Sequence, residues 1–306
     1  MAKTAVIFPG QGAQTVGMGK ENYERHPAAR ARYDRARSIL DFDLLGVSFE
    51  GPKDELDRTD YSQPAIFVAS AASRAAYEAT GGTLGEPSAV AGLSLCEYTA
   101  LWFAGVLSFE SALALVAARG RFMQEACGRS KSGMSSVLGL DRARAEEVCA
   151  RARGDDVLVV ANVNAPNQIV ISGHVPALQR AAPIATELGA AKVVSLAVAG
   201  AFHSPVMEPA REALAREIER AEMSPPSVPI VTNVSASGLT SVAEIRDALV
   251  RQLTEPVLWS ESMAAMIASG IEVFYEIGPG KVLAGLARRI DRAAKVVSID
   301  KVDPAS

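Results

Sequence analysis

The sequence predicts an α/β protein: a hydrolase-like core built on a mostly parallel sheet, interrupted by a small inserted domain of ferredoxin-like type. Three observations predict it. Residues 5–8 form a short β-type apolar run that stops at the breaker-rich loop Pro9-Gly10-Gln11-Gly12. Residues 88–91 form a second such run, which feeds a lone serine, Ser94, and a helical pattern leaves it; a serine at so sharp a strand-to-helix turn exposes its hydroxyl at the carboxyl edge of a sheet. Residues 133–198 carry a rhythm of their own: strand 134–140, helix 141–153, strands 157–163 and 168–172, helix 175–188 and strand 192–198. That order is β-α-β-β-α-β, the ferredoxin-like unit.

The elements follow in order. Residues 21–47 and 65–80 have helical periodicity, and Pro64 is read as opening the second helix at its first turn, where its missing N–H costs nothing. A long helix covers 109–127. The insert then occupies 129–198, leaving 1–128 and 199–306 to the large domain. Past it come Ala199-Gly200-Ala201-Phe202-His203-Ser204-Pro205, a helix over 206–221, a strand over 229–234 and a helix over 242–253. A helix over 260–269, a strand over 272–277, the breaker Gly278-Pro279-Gly280, a helix over 282–290 and a strand over 295–299 complete the chain.

Composition narrows the class. A chain of 306 residues that is 49% hydrophobic and 22% charged has the make-up of a soluble protein with a sizeable core. A formal charge of -4 with no basic block argues against nucleic-acid binding. Cys96, Cys127 and Cys149 have neither metal-ligand spacing nor an even count, so a reducing compartment is expected. No apolar stretch reaches the roughly 18 residues that span a bilayer, and the first residues have no signal-peptide pattern, so the expected location is the cytoplasm, away from membranes.

Four residues suggest chemistry. Gly92 and Ser94 meet half of the G-x-S-x-G elbow, with Cys96 where the second glycine would stand. Ser94 is then either a nucleophile or the N-cap of an ordinary helix. The glycines flanking Gln11 let its N–H approach a ligand as an oxyanion donor, unless the loop is merely flexible. Arg119 projects from the apolar face of its helix, three or four positions from Leu115, Val116, Phe122 and Met123. A guanidinium there needs either a buried acidic partner or a substrate carboxylate. Of the three histidines, His26 and His174 read as surface residues, which leaves His203.

Taken together, several blocks resemble the malonyl-CoA:acyl-carrier-protein transacylases and the acyltransferase domains of fatty-acid and polyketide synthases. They are Phe8-Pro9-Gly10-Gln11-Gly12-Ala13-Gln14, Gln63-Pro64-Ala65, the elbow from Gly92 to Tyr98, Arg119-Gly120-Arg121-Phe122-Met123-Gln124, Asn162-Val163-Asn164-Ala165-Pro166-Asn167-Gln168, Ala201-Phe202-His203-Ser204, Gln252-Leu253 and Glu276-Ile277-Gly278-Pro279-Gly280. The resemblance covers nearly the whole chain. It implies that Ser94 takes a malonyl group from malonyl-CoA and passes it to the phosphopantetheine thiol of an acyl carrier protein, with His203 as general base. It also implies an oxyanion hole from the N–H groups of Gln11 and Leu95, a main-chain carbonyl at Gln252 orienting the histidine, and Arg119 on the free malonyl carboxylate. Gln63, Met123, Phe202, Asn162 and Asn233 would contact the substrate. No bound cofactor is implied, and a monomer is expected. Phe202 before His203 favours malonyl over a methyl-branched group, a discrimination of about 1–3 kcal/mol.

The elbow departs from the family's usual G-H-S-L-G-E at Leu93 and Cys96. Leu93 loses a polar side chain beside the site, with consequences for rate or for protection of the acyl-enzyme from water. Cys96 is either a reactive thiol at a helix start or a small buried side chain. Two other readings use the same residues: a trans-acting polyketide acyltransferase or acyl hydrolase, and an inactive relative that binds carrier proteins. Carrier proteins are acidic, so Arg129, Lys131, Arg288 and Arg289 are docking candidates.

Overall fold

The computed structural model describes residues 2–303. Strand β1, Lys3–Phe8, opens the chain as expected. The single helix expected over 21–47 is instead α1, Lys20–Arg25, and α2, Pro27–Arg37, followed by a π-helical turn at Gly46–Glu50. Pro27 is the cause: it has no N–H to continue the ladder, and it holds His26 in an extended conformation at φ -121° and ψ 110°. His26 is buried, not a surface residue, because its Nε2 reaches the Val302 carbonyl at 2.8 Å.

After α3, Lys53–Leu56, helix α4 runs over Thr59–Ala79 and starts six residues ahead of the expected 65. Pro64 therefore lies inside α4, one turn past the position read for it, and the ladder loses one bond there. Strand β2, Ala89–Gly92, leads into α5, Glu97–Phe103, and α6 covers Phe109–Cys127 as expected, with Ser108 accepting the Ser111 N–H as its N-cap.

The next stretch holds β3, Ser132–Leu138, α7, Arg142–Ala152, β4, Leu158–Ala165, β5, Gln168–His174, α8, Val175–Glu187, and β6, Lys192–Ser195. The remainder is α9, Glu208–Arg220, β7, Ile230–Val231, β8, Gly238–Leu239, α10, Val242–Arg251, α11, Trp259–Ala268, β9, Ile271–Ile277, α12, Val282–Ile290, and β10, Lys295–Ile299.

Two sheets result. The first has the order β10-β9-β1-β2-β7-β8 and is parallel except where β7 meets β8. Alternation along β1 divides the core: Val6 and Phe8 face one apolar cluster, Ala5 and Ile7 the other. Both faces are covered, which is why the strand reads as a continuous apolar run. The second sheet, β4-β5-β3-β6, is antiparallel throughout and packs its own cluster around Val137, Val148, Leu158, Ile169 and Ala181. The strand expected over 229–234 is only two residues long because Thr232 turns back to the Ser237 carbonyl and Asn233 gives its N–H to Glu97 beside the elbow. Among the described residues no helix is long and apolar enough to cross a membrane.

Parallel pairing in register, Phe8 with Gly92 and Ile7 with Glu276, ends β1, β2 and β9 at one edge. Three loops meet there: the Gln11 loop, the Ser94 elbow and Gly278-Pro279-Gly280. A carboxyl edge of this kind is where open α/β sheets place their ligands.

Candidate active site

Ser94 begins a single 3-10 turn, Ser94–Cys96, between β2 and α5. Its φ of 54° lies in the left-handed region that residues with a Cβ seldom enter, so its surroundings must hold it there. Asn233 does so: its Oδ1 accepts from the Ser94 N–H at 2.6 Å and its Nδ2 donates to the Gly92 carbonyl at 2.7 Å. The turn is tight enough that a Cβ on Gly92 would fall 1.8 Å from the Cys96 carbonyl oxygen. On the other side, the Leu93 N–H donates to Phe8 at 3.0 Å, and a Cβ on Gly10 would fall 2.6 Å from the Leu93 Cδ2. The Gln11 loop and the elbow are thus packed backbone to side chain.

His203 is also left-handed, at φ 53°. The loop that carries it is tied to the second sheet. The Ser172 hydroxyl donates to the Phe202 carbonyl at 2.7 Å, and Ser132 Oγ accepts the Ala201 N–H at 3.2 Å. The ring is buried and its Nδ1 lies 2.7 Å from the Gln252 main-chain carbonyl. A carbonyl only accepts, so Nδ1 carries the proton and Nε2, 2.8 Å from Ser94 Oγ, presents a lone pair. Burial, and after it the Arg119 charge, push the imidazole down to about 4, so it is neutral at pH 7 and able to take the Ser94 proton.

Arg119 is fully buried. Its Nη1 donates to Gln63 Oε1 at 2.8 Å, while its Nη2 donates to Ser94 Oγ at 3.1 Å and to Gln252 Oε1 at 2.9 Å. Burial lowers its pKa from the usual arginine value, and among the described residues no carboxylate lies within ion-pair distance of it. A cation held this way beside a serine hydroxyl has the geometry and charge to receive an anionic group placed next to that hydroxyl. The described residues contain no group of three His, Cys, Asp or Glu placed to hold a metal ion.

A family model described as an acyl transferase domain matches residues 5–301. The chain belongs to the acyl transferase domain family. It is 41% identical over 300 residues to the malonyl CoA-acyl carrier protein transacylase of Bacillus subtilis, a match covering 98% of this chain and 94% of that protein. The solved transacylase of the same name from Coxiella burnetii superposes with a TM-score of 0.94 at 38% identity, covering 98% of this chain and 94% of the other. A malonyl-transacylase solved in complex with its type II PKS acyl-carrier protein gives a TM-score of 0.94 at 36% identity, over 98% and 97% of the two chains.

Within this acyl transferase domain, the structure brings Ser94, His203, Arg119, Gln63 and Gln252 into one hydrogen-bonded group. Met123 joins its margin, with Sδ 3.5 Å from Gln63 Nε2. Phe202 is buried next to His203 in the main core. Asn233 spends its side-chain amide on the elbow backbone. Asn162 lies on β4 where that strand bridges to Val257, and the neighbouring Leu258 N–H donates to the Asn233 carbonyl. Leu95 follows the serine on the 3-10 turn, and the Gln11 N–H has no acceptor among the described residues.

Sequence reasoning missed Glu97. This carboxyl is 1% exposed, and its Oε2 accepts from Gln252 Nε2 at 2.7 Å and from the Asn233 N–H at 3.1 Å. In the sequence it matches the last residue of the family's G-H-S-L-G-E elbow, but no local signal separates a buried hydrogen-bonding carboxyl at that place from an ordinary acidic residue in a helix's first turn. Burial decides between the two readings of Cys96: with no exposed surface and a thiol pushed up to about 12, it is an inert packing residue. Leu93 is the apolar contact for the Gly10 backbone.

Proposed function

We propose that this chain moves a malonyl group from malonyl-CoA to the phosphopantetheine thiol of an acyl carrier protein. Family membership and the relatives named above support the reaction class. The observation that carries the choice of acyl group is the buried Arg119 guanidinium, 3.1 Å from an Ser94 hydroxyl that is itself 2.8 Å from His203 Nε2. An acyl chain on Ser94 that ends in a carboxylate meets that cation; an acetyl group leaves it unanswered.

In the first half of the cycle, Ser94 Oγ attacks the thioester carbonyl carbon as its proton passes to His203 Nε2. The oxyanion is held by the N–H groups of Leu95 and Gln11. The C–S bond breaks, and the CoA sulfur leaves with the proton from His203. In the second half, the carrier's thiol gives its proton to His203 and its sulfur attacks the malonyl ester, after which Ser94 Oγ recovers the proton. The Gln252 carbonyl keeps the imidazole in the required tautomer without a carboxylate partner, so the catalytic pair is a dyad.

We also propose that residues 1–128 and 199–306 form one domain and 129–198 an insert whose serines 132 and 172 brace the His203 loop. The three free cysteines are consistent with a cytoplasmic location. The test is to incubate the protein with malonyl-CoA or acetyl-CoA and weigh it intact. A malonyl adduct that dominates over acetyl, is absent from Ser94→Ala, and is discharged by a holo carrier protein is expected; no adduct, or one that survives Ser94→Ala, overturns the reading.

A further inference from the structure

The reaction outlined above gives Glu97 no task, yet among the described residues it is the one buried carboxyl in contact with the group that would perform it. Its Oε2 holds Gln252 Nε2 at 2.7 Å, and Gln252 Oε1 accepts from Arg119 Nη2 at 2.9 Å. A buried anion and a buried cation are therefore joined through one side-chain amide. Neither has another charged partner within ion-pair distance among the described residues, and Glu97 Oε1 and Arg119 Nε have no hydrogen-bond partner there.

The spacing has a physical consequence. Two uncompensated charges in a solvent-free core are costly, and a direct Arg–Glu pair would remove that cost by closing the guanidinium fork on the protein's own carboxylate. With Gln252 between them, Coulomb attraction still compensates Arg119, while its Nη2 remains directed at Ser94. The geometry points to Glu97 as the counter-charge of Arg119, coupled through the Gln252 amide, which sets how strongly the site prefers an acyl group bearing a carboxylate. This rests on the malonyl reading above. A negative Glu97 opposes the incoming carboxylate; a neutral one does not.

The groups around Glu97 fix the sign and range of the effect. Cys96 on the elbow and Tyr98 on α5 stay protonated through neutral pH because burial raises both, and Arg119 on α6 stays charged. His203, beyond Gln252, is neutral above about 4. The buried portions of β1 and β2 carry no titratable residue, and α4 contributes the amide Gln63. Burial pushes Glu97 itself up to about 7. It is the member of this cluster whose charge changes between pH 5.5 and 8.5.

The experiment compares kcat/KM for Ser94 acylation by malonyl-CoA and acetyl-CoA, because their ratio cancels CoA binding and His203 protonation. In the native protein the malonyl-to-acetyl ratio should rise roughly threefold to tenfold from pH 8.5 to 5.5, as one partly screened charge is removed. In Glu97→Gln, which keeps an oxygen for Gln252 Nε2 and the Asn233 N–H, the ratio should be flat and equal to the native low-pH value. A native ratio that does not move with pH, or a variant that lowers both substrates equally, overturns the inference and makes Glu97 a hydrogen-bonding scaffold only. If the variant fails to fold, the native pH series decides alone. Failure of the parent reading looks different: no malonyl adduct at any pH.

Discussion

At the scale of single residues, the Ser94 hydroxyl lies between two nitrogens of opposite character, a neutral imidazole able to accept its proton and a cation that donates to its oxygen. His203 is neutral because it is buried beside Arg119, and this has a measurable sign. Unfolded, the ring binds a proton near 6.5; folded, it does so only near 4. The unfolded state therefore holds more protons between these values, and stability is lost as pH falls through that window, by roughly 3 kcal/mol in total. Thermal melts of native protein and His203→Gln from pH 7 to 4 should converge as pH falls, and curves that stay parallel would show that the ring titrates normally. The comparison isolates His203 from Glu97, whose raised carboxyl tilts stability the other way. Saturated acylation should likewise hold its rate from pH 8 to about 5 and decline toward 4. Arg119→Lys keeps the charge but not the fork. One of its acceptors, Gln63 Oε1 or Gln252 Oε1, is then left unpaired at about 1–3 kcal/mol, and malonyl acylation should fall about a hundredfold while acetyl acylation falls far less. An equal loss for both substrates would place Arg119 in the scaffold.

At the scale of elements, the site is a set of strand ends, and each depends on a close approach. Gly92→Ala places a Cβ 1.8 Å from the Cys96 carbonyl, which neither backbone can relieve without moving Ser94. It should cost more than about 3 kcal/mol and abolish acylation, whereas Cys96→Ala should keep both, as denaturant titration and adduct mass will show. This contrast also explains what was legible in the sequence. The parallel core, the β-α-β-β-α-β segment and helix 109–127 were readable because apolar runs and helical periods are local signals. Arg119 stood out because a cation on an apolar stripe violates its own helix's pattern. The start of α4 was not readable, since a proline at the first turn and one a turn later look alike until the preceding residues are seen to pack. His26 was misplaced because its partner is the Val302 carbonyl, 276 residues away in sequence. Glu97 went unread for the same reason: what defines it is Gln252 and Asn233, and no local pattern connects them.

At the scale of the whole molecule, the proposed reaction asks Ser94 to serve two partners in turn, and only the second is a protein. The carboxyl edge of the sheet holds the chemistry, and α12 leads away from it, starting at the Gly278 loop, where a Cβ on Gly278 would fall 3.1 Å from the Pro9 ring. Nine residues of helix carry the chain about 13 Å along the surface. At that far end Arg288, Arg289 and Arg292 line a cavity of about 470 Å³ with Asn167 and Gln168 of the second sheet's hairpin. Three guanidinium groups on a chain of net charge -4 form a local positive field, and such a field chiefly accelerates encounter with an acidic partner. Arg129 is less suited, because Glu125 and Glu212 line the same surface hollow. Reversal of Arg288 and Arg289 to Glu should therefore leave malonyl loading of Ser94 within about twofold and slow discharge to the holo carrier by roughly tenfold or more at low salt. The gap should narrow as ionic strength rises, since exposed charges are screened over about 10 Å at 0.1 M salt. A loading defect as large as the discharge defect would mean that the arginines bind CoA rather than the carrier, and a discharge rate insensitive to both substitution and salt would place the docking surface elsewhere.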